Sequence, residues 1–206
     1  MLRIAARLAT LEAKALVARL SPFSGMHFSR DQWESQYSSG DWDRLRHIDE
    51  LPHYSAIAGY VSSLVGKAAV LDVGCGEGIL QETMRRSGYA RYVGIDLAAS
   101  AIARAASRSD DATTFECADA LTYSPAGDFD AIVFNEVLYY FDAPLELMAG
   151  YSPRLQAAGV TIVSMAVSRR SLRIWKMLDK SRRPAAEVLL ANRAASWVVK
   201  VYQGGF

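Results

Sequence analysis

A chain of 206 residues, 51% hydrophobic and 22% charged, suits one globular domain with room for a small appendage. The net charge of +1, from 23 basic and 22 acidic residues, gives no electrostatic footprint for a nucleic-acid partner. Two cysteines, Cys75 and Cys117, cannot build a disulfide framework, and no run of about 18 apolar residues offers a membrane span, so a reducing, cytoplasmic setting is expected.

Residues 1 to 20 read as an amphipathic helix, with Ile4, Leu8, Leu11 and Ala15 on one side and Arg3, Arg7 and Lys14 on another. It lacks the continuous apolar core of a secretory signal. Packing on the domain, contact with a partner or membrane surface, and an organelle transit peptide are its three readings. A connector follows, then a short helix capped by Ser29 or Asp31 and ended by Gly40. Trp33, Tyr37 and Trp42 are dense for a surface loop and must pack or line a pocket. A further helix is expected over 51–64, with Pro52 near its start and Gly66 past its end.

From Ala69 a regular alternation begins. Strands are expected at 69–73, 92–95, 113–117, 129–135 and 160–165, with helices at 78–87, 98–106 and 145–155. Short strands alternating with helices indicate βαβ units, a parallel sheet and helices on both faces. After a helix at 170–178, segments 186–191 and 197–202 form a hairpin, which adds an antiparallel strand at one side. The expected organisation is residues 1–65 as a helical extension and lid, and residues 66–206 as a Rossmann-like α/β domain on a mixed sheet.

The chemistry concentrates at the carboxyl ends of the strands. The stretch Val70-Leu71-Asp72-Val73-Gly74-Cys75-Gly76-Glu77-Gly78 is a strand running into a glycine-rich turn and a helix. Its turn lets backbone lie against a ligand, and the helix start offers N–H groups. The dinucleotide fingerprint needs glycines at relative positions 1, 3 and 6, but Ile79 fills the last, and no Lys-Ser/Thr follows for a phosphate loop. Asp72 would repel a pyrophosphate and attract a cation. Asp96 closes the second strand, where an acid bonds ribose hydroxyls. Asp119 follows the third strand and could accept from an adenine amino group, with Ala120 N–H donating to the ring and Leu97 and Leu121 flanking the base. An acid for an ammonium, one for a ribose and one for an adenine, with no phosphate, describe S-adenosylmethionine.

With VLDVGCGEG at 70–78, YVGID at 92–96, CADA at 117–120, FDAIVFNEVLYY at 129–140 and AGVTIVSM at 158–165, the chain resembles the class I S-adenosylmethionine-dependent methyltransferases. Within that class it is similar to small-molecule and natural-product methyltransferases. The resemblance implies a seven-stranded sheet with a C-terminal antiparallel hairpin, and a lid carrying the W-x-x-x-Y-x-x-G-x-W-D pattern from Trp33 to Asp43. It implies that Tyr37 and Trp33 contact the cofactor. Asp72, Gly74, Cys75 and Gly76 are assigned to the methionine end, and Asp96, Leu97, Asp119 and Ala120 to the nucleoside.

Methyl transfer from a sulfonium expels a neutral thioether, so alignment and exclusion of water dominate, and a base serves only a protonated acceptor. Asn135 could touch the cofactor amino group through its carbonyl or side chain. Glu136 could orient the acceptor or act as base, and Tyr139 or Tyr140 could wall the acceptor site. The alternative for each is a satisfied strand end or ordinary packing. His53 is the histidine placed to reach the pocket. Cys75 and Cys117 read as small apolar residues, and no metal cluster is expected. The expected function is methylation of an O or N atom of a small-molecule acceptor by a monomer or homodimer. A non-catalytic partner subunit with the same fold, and a nicotinamide-dependent oxidoreductase, are the competing readings.

Overall fold

The computed structural model describes residues 28–206. The N-terminal amphipathic segment expected over residues 1–20 lies outside the described residues. Seven strands form one sheet in the order β3-β2-β1-β4-β5-β7-β6, where β1 is Ala69–Val73, β2 Arg91–Asp96, β3 Thr113–Cys117, β4 Phe129–Asn135, β5 Leu155–Ala166, β6 Ala186–Ala191 and β7 Ser196–Gln203. β1 to β5 are parallel, and β7 runs antiparallel to both β5 and β6. The mixed sheet is as expected, with the antiparallel strand toward one side. β7 inserts beside β5 and leaves β6 outermost.

Strand periodicity sorts side chains between two cores. Val70, Tyr92, Val133, Ile162 and Val199 face one layer of helices: α2 (Leu51–Val65), α3 (Ile79–Met84) and α4 (Ala99–Ala106). Leu71, Val73, Ile95, Phe134 and Val198 face the other, made by α5 (Pro144–Tyr151) and α6 (Arg169–Ser181). Tyr54, Ile57 and Val61 of α2 are part of the first core, so this helix belongs to the sandwich. The layer that covers the strand ends is the segment before it. There α1 (Arg30–Ser39) is closed by a Ser29–Gln32 capping box and stopped by Gly40 at φ 81°.

Several boundaries differ from expectation. The helix expected to reach residue 155 ends at Tyr151, and a 3-10 turn Ser152–Arg154 follows. Pro153 has no N–H to continue the helical ladder. β5 accordingly starts at Leu155, five residues early, and pairs with Phe129 across a register shift. α3 is also shorter than its pattern, spanning Ile79–Met84: Gly78 takes a left-handed conformation and becomes the N-cap, and at the other end the N–H groups of Ser87 and Gly88 fold back onto the Met84 carbonyl.

The order reverses between β1 and β4: β2 and β3 lie on one side, β4 and β5 on the other. Connections leave this point in opposite directions, which opens a crevice at the carboxyl ends of β1 and β4.

Candidate active site

A cavity occupies that crevice. Its floor is Asp72, Gly74, Cys75, Gly76, Asp96, Asn135 and Glu136, and its roof is Trp33, Tyr37, Trp42, Arg44 and Leu45. The chain closes the roof on the floor through specific contacts. Trp33, Tyr37 and Trp42 stack on one another with centroids 5.8–6.4 Å apart, and Trp33 meets Tyr140 edge-on at 4.8 Å. Arg104 donates to the Tyr37 carbonyl at 2.8 Å and to Glu77 Oε1 at 2.5 Å, tying α1 to the glycine turn. The Glu34 carboxylate accepts from the N–H groups of Ala99 and Ser100. Ala98 cannot cap α4, so α1 supplies that cap from outside.

The glycine turn spends most of its donors internally. Gly74 and Cys75 N–H both donate to the Ile95 carbonyl (2.8 and 2.9 Å), Gly76 N–H to Asp96 Oδ2 (2.9 Å) and Gly78 N–H to the Cys75 carbonyl (3.0 Å). These four N–H groups are therefore not offered to a ligand as the sequence suggested. The turn offers close approach: a Cβ on Gly76 would stand 2.8 Å from the Tyr37 hydroxyl, and one on Gly74 2.5 Å from Val137 Cγ2.

Asp72 is 1% exposed. The Tyr92 hydroxyl donates to its Oδ2 at 2.5 Å, while Oδ1 is buried without a partner among the described residues. Burial raises its pKa to about 7, against the Tyr92 bond that lowers it, with Asp96 adding repulsion. Burial also raises Asp96, opposed by backbone N–H groups. Its Oδ1 accepts from Ala98 N–H at 3.0 Å, so both oxygens are anchored, each with a lone pair left.

Glu136 is held at φ 57°, a left-handed conformation unusual for a residue with a side chain. Such strain clusters at functional sites. The Tyr139 hydroxyl donates to Glu136 Oε2 at 2.8 Å, and Oε1 is buried with no hydrogen-bond partner among the described residues. Burial pushes its pKa up to about 7, moderated by the nearby His53 and the Tyr139 bond. Tyr139 and Tyr140 both line the cavity, from a 3-10 turn spanning Leu138–Tyr140.

Three expected ligands of the nucleoside stand apart. Leu97, Asp119 and Ala120 do not line this cavity. Asp119 Oδ1 accepts from Leu121 N–H at 2.9 Å, a self-contained turn, and Leu121 is 68% exposed. The Leu97 carbonyl accepts from Arg30 at 3.1 Å. His53 also departs from expectation. It is 0% exposed, does not line the cavity, and both ring nitrogens are engaged, so it has no path to an acceptor. Sequence reasoning missed Arg44 and Leu45 of a 3-10 turn (Asp43–Arg46), Glu50 at the entry to α2 and Trp197 of β7, all of which line the cavity. Trp197 sits in a strand whose pattern shows only burial, so no local signal marks it. Burial pushes the Cys75 thiol well up, which suits a packing role. Among the described residues no group of three or more His, Cys, Asp or Glu could hold a metal ion, and no helix is long and apolar enough to cross a membrane.

Residues 10–193 match the family model described as a methyltransferase domain. The chain belongs to this methyltransferase family. Its fold is that of the class I S-adenosylmethionine-dependent enzymes implied by its motifs. A ubiquinone biosynthesis O-methyltransferase of Psychrobacter cryohalolentis is 33% identical over 137 residues, covering 59% of this chain and 51% of that protein. One from Thiobacillus denitrificans is 31% identical over 147 residues, covering 69% and 56%. The chain spans about half the length of these curated relatives. The N-methyltransferase NodS from Bradyrhizobium japonicum, solved with S-adenosyl-L-homocysteine, superposes with a TM-score of 0.64 at 20% identity, over 82% of this chain and 98% of NodS. The 1,6-didemethyltoxoflavin-N1-methyltransferase of Burkholderia thailandensis gives a TM-score of 0.68 at 18% identity, over 85% and 86%. At these identities the structures show a shared fold.

Proposed function

We propose that this chain transfers a methyl group from S-adenosylmethionine to an O or N atom of a small-molecule acceptor, by in-line displacement. The observation that carries this reading is the charge of the cavity floor. Asp72, Asp96 and Glu136 face it with no cation paired to them in the contacts above, and one buried Asp72 oxygen has no partner among the described residues. A cavity of that kind suits a cationic ligand and disfavours a pyrophosphate. When bound, S-adenosylmethionine supplies an electrophilic methyl group on a positively charged sulfur.

The chain's own residues then divide the work. Asp72 and the turn at Gly74, Cys75 and Gly76 hold the amino-acid end, with Tyr37 over the turn and Asn135 beside it. Asp96 accepts from the ribose hydroxyls through its remaining lone pairs. Leu97, Asp119 and Ala120 serve the adenine at the outer rim. Trp33, Tyr37 and Trp42 exclude water. Glu136, aligned by Tyr139, takes a proton from the acceptor at Oε1, while Tyr139 and Tyr140 wall the acceptor side. A carboxyl poised near pH 7 suits a general base.

The two curated relatives named above carry O-methyltransferase names, and the two structures N-methyltransferase names. That is why the transfer is assigned to O or N. We further read residues 28–50 as the lid of a cytoplasmic enzyme that works as a monomer or homodimer. Isothermal titration tests the cofactor reading. S-adenosylhomocysteine should bind at micromolar affinity and NADH should not; the reverse preference would end it.

A further inference from the structure

Asn135 is held from behind by a chain of groups that no part of the methyl-transfer reading uses. Its Oδ1 faces His53 Nδ1 at 3.0 Å. His53 Nε2 faces Glu50 Oε2 at 3.3 Å, one helical turn back at the entry to α2. Glu50 Oε1 faces Arg44 at 3.4 Å, and Arg44 lines the roof of the cavity. The His53 ring is clamped in place: it stacks on Trp197 of β7 (centroids 5.2 Å, 28°) and lies 4.0 Å from Tyr54.

A buried imidazole is expensive unless both nitrogens are paired, and here both are. Asn135 turns its amide oxygen to the ring, and an amide oxygen only accepts, so Nδ1–H is the donor in that contact. That settles what Asn135 can do. An asparagine side chain turns easily about its last torsion, and its two ends differ chemically. With Oδ1 tied to His53, the end left for the cavity is the NH2 group. The side chain can then donate to an oxygen and cannot accept from an ammonium.

The register gives that donor an address. Val73 pairs with Phe134, so Asn135 sits beside Gly74, next to the turn assigned to the amino-acid end. We propose that Glu50 and His53 are positioning residues that fix the Asn135 amide with its NH2 group toward the carboxylate of the cofactor's amino-acid part. Asp72, with its free oxygen, is left for the ammonium. The proposal rests on the cofactor reading above.

The test compares two ligands in the full chain by isothermal titration: S-adenosylhomocysteine, and 5′-methylthioadenosine, which lacks the amino-acid part. His53→Phe keeps a ring against Trp197 but loses both ring nitrogens. It should weaken S-adenosylhomocysteine about 10-fold and leave 5′-methylthioadenosine within about 2-fold, as loss of one charge-assisted hydrogen bond predicts. His53→Gln, which can still present an N–H to Asn135, should recover most of the loss. Asn135→Ala should match His53→Phe, and the double variant should add little. Should His53→Phe not fold, Glu50→Gln at the outer end carries the same selective expectation. Equal weakening of both ligands, or unchanged affinity for S-adenosylhomocysteine, would overturn the proposal. A wild-type chain that binds neither ligand overturns the cofactor reading instead, and this proposal with it.

Discussion

The two ends of the crevice are built differently. At the β1–β4 end, Asp72 and Glu136 are buried under an aromatic roof, each with an oxygen that no hydrogen bond among the described residues satisfies. At the β2–β3 end, Asp119 is bonded into its own turn and its neighbour Leu121 is 68% exposed. The first end carries unmet electrostatic demand before any ligand arrives. The second is satisfied as it stands and gains only modest contacts from a ligand. Binding energy and chemistry should therefore concentrate at the enclosed end, because an unpaired charge costs far more when buried than at the surface.

Asp96 lies between the two ends, and its loss should do most damage. Asp96→Ala removes the proposed ribose acceptor and the anchor for Gly76 and Ala98 N–H. Loss of two hydrogen bonds to a charged group costs roughly 3–5 kcal/mol, so affinity for S-adenosylhomocysteine should fall by about 100-fold or more in titration calorimetry. Unchanged affinity would remove the ribose assignment.

Next is Glu136→Gln. With the folded carboxyl near 7, wild-type kcat/KM should rise with pH through that region as the base ionises. The variant should lose about 100-fold and its profile should flatten there. The same shift has a stability consequence. A carboxyl whose folded pKa is raised from its ordinary 4.5 to about 7 contributes most below 4.5, and that contribution is lost as pH rises toward 7. Above pH 7 the buried charge is a net cost, so Glu136→Gln should melt higher than wild type at pH 8 while being slower. A variant equally active, or with an unshifted profile, would deny the base.

The smallest effect is expected at the open end. Asp119→Ala removes one turn hydrogen bond at the surface, about 1 kcal/mol or less, and should weaken S-adenosylhomocysteine by about 5-fold or less. A loss as large as that of Asp96→Ala would erase the contrast between the two ends.

The elements of the fold were legible because they are local. Periodicity placed every strand, and Ser29, Gly40, Pro52 and Gly66 marked helix ends through φ/ψ preference alone. Pro153 could have warned that the helix after β4 stops at Tyr151, and Gly78 that α3 starts late; both are local features that periodicity masked. The acids at the strand ends were also legible, since a strand followed by a tight turn puts its last residue at the crevice. Their states were not. Whether Asp72 keeps a free oxygen, and whether Asp119 bonds its own turn, depends on neighbours such as Tyr92, which lies 20 residues away along the chain.

By itself the sequence determined the βαβ order, the hairpin, the turn at Gly74–Gly78 and the family. Each follows from spacing of residue types over a few positions, which is how backbone propensity acts. Tertiary structure alone decided that β7 slips between β5 and β6, that Trp197 reaches the cavity, and that His53 stands behind Asn135 with no route to an acceptor. Those facts are contacts between distant segments. They arise only when the sheet closes, and no local pattern encodes them.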